Sequence, residues 1–393
     1  MSLKPMNGFQ PDGLNNNNNN NKYSKPLKKQ QRQLNIPSIP SKFAIYLVEH
    51  QIEFPLIILT ILGSAYLLKV PGSEKFFFLQ NKNPNTGLYT KTKDDIYFIS
   101  LWVILFTLLR AFVMDYILIP LAKMGGIRNN KRTRFAEQGW SCLYYSVFWI
   151  IGMCIMYQSP HWFDTSHYWK GYPHIELTPL FKGYYLIQFA FWVQQIFVLN
   201  IEKRRKDFIE MVAHHVITIS LMFFSYIFNF VRIGNAVLCT MDFTDVILPF
   251  AKMIKYLKFN KICDVIFGLF IISWLITRHY FYGHIIYSAW TEPQLYLEFK
   301  WSPEEDYYLT KNVQTFFLIL FISLQIIIIF WFYLICNVLI KVIRGDNAHD
   351  NRSESEGEEE EIISNGHANG HANGHANGHT NGNVINVKRV KDD

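Results

Sequence analysis

Charge is scarce in this chain of 393 residues. Asp, Glu, Lys and Arg make up 18% of it, against 50% hydrophobic residues that include 33 Phe, 22 Tyr and 10 Trp. Helical or strand periodicity is missing from its apolar runs, such as FPLIILTILGSAYLL, FGLFIISWLI and TFFLILFISLQIIIIFWFYLI. A soluble helical protein needs a polar face on most of its helices, so these runs exclude that class. About 20 apolar residues cross a bilayer as one helix, and the runs read as transmembrane helices.

Also lacking is a secretory leader. The first fifty residues are polar, with an asparagine run from Asn15 to Asn21 and a basic cluster KPLKKQQR. The first span is therefore expected to serve as the membrane-targeting signal and to be retained. The five cysteines, Cys142, Cys154, Cys239, Cys263 and Cys336, are isolated and form no CxxC. Neither a zinc ribbon nor a disulfide framework is indicated.

Eight spans are expected, at roughly 54–70, 95–121, 138–158, 184–200, 208–228, 235–257, 264–282 and 315–339. Lys and Arg collect in alternate connections: Lys123, Arg128, Lys131, Arg132 and Arg134; then EKRRKD; then Lys252, Lys255, Lys258 and Lys261; then Lys341 and Arg344. The last of the opposite connections is acidic, with Glu292, Glu298, Glu304, Glu305 and Asp306. Positive charge marks the cytosolic side, so both termini are expected in the cytosol.

The C-terminal tail is a different regime, expected to be disordered. SESEGEEEE is a solvated acidic run in which Ser353 and Ser355 each have an acid three residues on, the pattern of an acidophilic kinase site. A merely solubilising run reads equally well. The NGHA repeat that follows carries His367, His371, His375 and His379 on a Gly/Asn backbone without fixed geometry. The closing KRVKDD is close to the cytosol-facing basic signals that return membrane proteins to the endoplasmic reticulum.

An ionisable group at mid-bilayer costs on the order of 3 kcal/mol, which makes it a functional candidate. Two neighbouring spans concentrate such groups. The fifth has Glu210, His214 and His215, and the sixth has Asp242 and Asp245 after a short turn region containing Arg232. Glu210, His214 and Thr218 recur one helical turn apart, Asp242 and Asp245 share a face, and Lys252 lies two turns beyond. A tight turn makes the two spans antiparallel neighbours whose polar faces can meet. Three readings of the cluster stand side by side. It can be structural pairing between helices; a metal site, against which stand a single HH and no HxxxH among the spans; or acid–base or nucleophilic chemistry by imidazole beside carboxylate. Arg110, Asp115, Glu137 and Arg278 read as structural pairs at membrane depth.

KDFIEMVAHHVITISL followed by NFVRIGNAVLCTMDFTDVILPFAKMIKYL resembles the signature of the ceramide synthases, the longevity-assurance branch of the TLC-domain family. The shared pattern is a basic-acidic lead-in, HH, T, an apolar stretch, N-x-x-R-x-G, D-x-x-D and a trailing A-K-x-x-x-Y. RTRFAEQGWSCLYY and YYLIQFAFWVQQIFVLNIEKRRKDF are similar to the family as well, and the resemblance covers roughly 132–344. Many members have His where this chain has Met241, which leaves both aspartates standing but no third histidine. The lack of a homeobox-like insert between the first spans, and the asparagine-rich tail, are similar to the fungal type.

The resemblance implies an all-α polytopic membrane protein, a TLC-type helical barrel enclosing a lipid cavity. Its parts are a basic tail (1–50), two leading spans (51–131), a catalytic domain (132–344) and an acidic and repeat tail (345–393). The implied reaction is N-acylation of a sphingoid base by a fatty acyl-CoA, with His214, His215, Asp242 and Asp245 as the active site. One histidine acts as base or transient acyl acceptor, and an Asp fixes the partner tautomer. Arg204, Arg205, Lys206, Lys252 and Lys255, with Lys203 beside them, are the candidate rim for the CoA phosphates. No metal or other cofactor is expected, acyl-CoA being a co-substrate, and no nucleic acid. The family further implies membrane lipid as surroundings, a homo- or heterodimer with a paralogue, and a small single-span regulatory subunit. The rival expectations are a non-enzymatic lipid-binding or translocon-associated member, and another membrane acyl-CoA acyltransferase.

Overall fold

The structure, a computed structural model, describes residues 49–201 and 206–344. The chain divides after Glu49, and the unit that begins at His50 holds the helices. Among the described residues it is helical, with isolated bridges such as Tyr89–Leu177 and no strand. Its long helices are α1 (Glu53–Leu67), α2 (Asp95–Met124), α3 (Asn129–Tyr157) and α4 (Pro179–Ile201). They continue as α5 (Phe208–Ile227), α6 (Val231–Tyr256), α7 (Asn260–Thr291) and α8 (Lys311–Ile343).

Each expected span has a helix at its place, but six of the eight are long and apolar enough to cross a membrane. The exceptions have simple causes. Helix α1 has 15 residues, about 22 Å at 1.5 Å per residue, short of a bilayer core. Helix α6 carries Arg232, Asp242, Asp245, Lys252 and Lys255 within its 26 residues.

Contacts between helices close a ring in the order α3, α4, α5, α8, α7, α6 and back to α3. Helix α2 packs outside this ring against α4 and α3, and α1 packs on α2. The α5–α6 turn is as tight as the sequence suggested. Asn229 takes a left-handed φ of 61°, a conformation Asn tolerates, and Phe230 N–H returns to the Ser225 carbonyl at 2.7 Å. The glycine of N-x-x-R-x-G has a packing reason: a Cβ on Gly234 would run into the Tyr185 ring and hydroxyl.

At the lysine-rich end, the α2–α3 turn packs on the end of α6, where Ala122, Ile127 and Phe135 meet Met253, Tyr256 and Leu257. At the opposite end the connections form a cap. Tyr89 and Leu177 exchange backbone hydrogen bonds, the Tyr172 hydroxyl donates to the Phe228 carbonyl at 2.8 Å, and Lys91 pairs with Asp306 at 3.0 Å. Arg232 donates to the His167 carbonyl at 2.9 Å, so this motif residue serves the cap.

His161 and His174 are buried within the cap, in the connection between α3 and α4. Burial, with the nearby Arg232 charge adding to it, holds both rings down at about 4 against an ordinary 6.5. Between those values the unfolded segment binds protons that the folded one refuses. Its stability is therefore complete above 6.5 and is lost as pH falls towards 4. Hydrogen exchange over residues 158–178, corrected for intrinsic rates, is expected to show more opening at about pH 5 than at about pH 7. Equal protection at both would contradict the assignment.

Candidate active site

Two turns into α5 the chain presents His214 and His215. Asp207, just before the helix, is buried, and its Oδ2 accepts from the Trp331 indole of α8 at 3.1 Å. That bond ties the start of α5 to α8, and a carboxylate suits the positive end of a helix. Trp331 in turn lies edge-on to the His214 ring, centroids 5.2 Å apart, and Trp192 of α4 closes the other side at 5.4 Å. Aromatic faces therefore hold His214, and its ring nitrogens have no hydrogen-bond partner among the described residues.

His215 is held differently. Its Nδ1 faces the Met211 carbonyl at 2.7 Å, which keeps the proton on Nδ1 and leaves Nε2 as the basic atom of the neutral ring. The expectation that an Asp fixes this tautomer is corrected here: the helix's own carbonyl, four residues back, takes that role.

The aspartates of α6 have other partners. Asp242 is buried, its Oδ2 accepts from Gln188 Nε2 at 2.9 Å, and its Oδ1 is unpartnered. Gln188 is fixed in turn by the Tyr144 hydroxyl, which donates to its Oε1. Asp245 pairs with Arg278 at 2.6 Å. Arg278, read from sequence as a structural pair, therefore belongs to this site.

Two cavities meet at these residues. One, of about 190 Å³, opens towards the lysine-rich end and is lined by Gln138, Gln195, Met211, His215, Pro249 and Lys252 among others. The other is a narrow slot of about 40 Å³ between α4, α5, α6 and α8, lined by Thr218, Leu221, Met222, Val237, Leu238 and Phe321. His214, Trp192, Asp245 and Arg278 line both. From His214 to Ser225 the slot follows α5 for about 16 Å at 1.5 Å per residue. Beyond it a smaller space, sharing Ile233, Phe317 and Phe321, ends against Trp169, Phe230 and Leu309 of the capped end. An apolar slot, a polar vestibule and imidazole with carboxyl groups at their junction suit transfer of an apolar group.

Of the candidates read from sequence, the structure brings His214, Asp242 and Asp245 to the slot, and His215 and Lys252 to the vestibule. Lys255 lies one turn further along α6 and does not line the vestibule, and Lys206 is exposed just before α5. Lys203, Arg204, Arg205, Ser353 and Ser355 lie outside the described residues. Sequence reasoning missed Gln188, Trp192, Trp331 and Arg278 as site residues. The first three sit in aromatic or apolar runs without a local signal; the fourth is an arginine within a span, which was signal enough.

Comparison with known proteins gives a concordant picture. A TLC domain profile matches residues 134–337. The chain is 44% identical over 296 residues to sphingosine N-acyltransferase lag1 of Schizosaccharomyces pombe, covering 75% of this chain and 76% of that protein. It is 35% identical over 382 residues to the sphingosine N-acyltransferase-like protein ALT7 of Alternaria alternata, covering 90% and 85%. To ceramide synthase LAG1 of Saccharomyces cerevisiae it is 33% identical over 322 residues, covering 78% and 76%.

Proposed function

The chain belongs to the TLC-domain family, in its fungal ceramide synthase branch, and on that premise we infer that it acylates sphingoid bases. It is an acyltransferase that moves the acyl group of a fatty acyl-CoA to the amine of a long-chain base, giving a ceramide and free CoA. The observation that carries the mechanism is the junction itself: His214 lies where a polar vestibule meets an apolar slot.

In this reading the acyl chain lies in the slot, the thioester carbonyl sits beside His214, and CoA extends through the vestibule past Lys252. Only the unprotonated amine attacks, and a neutral imidazole takes the proton that its nitrogen sheds as the bond to carbon forms. His214 meets the thioester, as base or as transient acyl acceptor, and His215 offers Nε2 beside it. The indole walls of Trp192 and Trp331 exclude the water that would hydrolyse a thioester. Asp242, held by Gln188, and Asp245, paired with Arg278, line the slot beside His214 and fix its polar wall. In this reading acyl-CoA is a co-substrate and no cofactor enters the mechanism.

The proposal includes its setting. The lysine-rich end, with both termini, faces the cytosol of an endoplasmic reticulum membrane, where acyl-CoA is met by Lys252, Lys255, Lys206 and the arginines before α5. Dimerisation and a small single-span partner are proposed from the branch alone, and outward apolar side chains such as Leu143 and Ile150 of α3 offer surface to either.

Membranes containing the protein, given a sphingoid base and labelled acyl-CoA, are expected to form labelled amide. Membranes that form none would overturn the reading. In the same assay Lys252→Glu is expected to raise KM for acyl-CoA roughly tenfold or more, the value of one charge-assisted phosphate contact, with kcat within about threefold. An unchanged KM would remove Lys252 from the CoA path.

A further inference from the structure

Arg278 has an arrangement that the pairing with Asp245 does not exhaust. It is 4% exposed and sits in a π-helical turn, Leu275–Phe281, where α7 departs from regular hydrogen bonding. Such turns recur at functional sites because they re-aim a side chain that a regular helix would point elsewhere. Here the turn buries Thr277 and Arg278 together, on the side facing α6.

The guanidinium is fixed on three sides. Nε donates to the Thr244 hydroxyl at 2.6 Å, Nη2 donates to the Met241 carbonyl at 3.0 Å and pairs with Asp245 Oδ1 at 2.6 Å, and its plane lies over the Trp274 ring at 4.2 Å. Nη1 has no hydrogen-bond partner among the described residues. The residue lines both cavities beside His214. A buried, charged donor with two N–H bonds left over, locked in place in a residue that lines the reacting space, has what an oxyanion hole needs.

We propose that Arg278 is a catalytic residue whose Nη1 donates to the thioester oxygen as it becomes an oxyanion. This rests on the acylation reading above. The amine nitrogen forms its bond to the thioester carbon, and the carbonyl π pair moves to oxygen, where Nη1 meets it. The N–H proton passes to imidazole. As the oxygen re-forms its double bond, the carbon–sulfur bond breaks and the CoA thiolate leaves, taking the proton back from the imidazolium. Where His214 is first acylated, the same oxygen becomes anionic in both half-reactions and Arg278 serves each. Asp245 balances the guanidinium in the resting site, and Thr244 and Met241 keep its fork from turning.

The test separates this role from a structural one by splitting kcat from KM. Arg278→Gln and Arg278→Lys are assayed in membranes across acyl-CoA and base concentrations, normalised to folded protein. Loss of one oxyanion donor is expected to lower kcat by about a hundredfold to a thousandfold. Both KM values are expected to stay within about threefold, because the ground-state carbonyl gains little from the contact. Lysine keeps a charge opposite Asp245 but not the fork, so it should behave like glutamine, and it supplies the reading where the glutamine variant does not fold. A kcat within about threefold of wild type in either folded variant overturns the role, as does a loss carried entirely by KM. Wild-type membranes that form no amide overturn the acylation reading, and this proposal with it.

Discussion

Membranes carrying His214→Ala together with His215→Ala are expected to form amide from sphingoid base and acyl-CoA at background rate, a loss of about a thousandfold or more. The effect should be this large because no other imidazole lines either cavity at the junction. Taken singly, His214→Ala should be the more severe. His214 lines both spaces, whereas His215 lines only the vestibule and is held back by the Met211 carbonyl. The same protein should still fold, since His214 contributes ring contacts and no hydrogen bond among the described residues. Product formed by the double variant within about threefold of wild type would remove imidazole chemistry from the mechanism.

The second large effect concerns stability and lies away from the chemistry. Lys182 in the first turn of α4 is fully buried, pairs with Asp95 at 2.7 Å, and donates to the carbonyls of Gln80 and Thr90 at 2.9 and 2.7 Å. Asp95, at the start of α2, also accepts from the Tyr226 hydroxyl of α5 at 2.8 Å and from Thr92 N–H at 2.9 Å. One ammonium thus fastens the α1–α2 connection and α2 to the ring. Lys182→Met leaves a buried carboxylate without its counter-charge, a cost of about 3–5 kcal/mol. In detergent the unfolding midpoint should fall by roughly ten degrees. Adding Asp95→Leu should recover much of the loss, because removing both charges removes the penalty of leaving one alone. A single variant that melts with the wild type would show the pair to be inert.

The contrast between these two sites explains what could be read in advance. His214, His215, Asp242 and Asp245 stand out in sequence because a charge or imidazole inside an apolar run is expensive, and their spacing places each pair on one helix face. Lys182 did not stand out, since it falls at the edge of a span where lysine ordinarily reaches water. Only the folding of residues 78–94 over that edge buries it. Arg278 was visible as an intramembrane arginine but was assigned to structure. Which helix it faces depends on the π turn, and no local pattern in LITRHYF announces one.

By itself the sequence determined the helical membrane class, the places of the long helices and the antiparallel α5–α6 pair, and it singled out the histidines and aspartates that line the two cavities. Each of these follows from local rules: bilayer length, turn chemistry and the cost of burying charge. The tertiary structure alone decided that α8 closes the ring against α5, bringing Trp331 to His214, and that α4 brings Gln188 to Asp242. It also decided that Arg278 shares the junction with His214. Those facts depend on contacts between residues more than fifty positions apart, and nothing in the spacing along a single helix encodes which distant side chain will fill the space before it. HH in an apolar run marks where chemistry can occur; the ring of helices around it sets what that chemistry can reach.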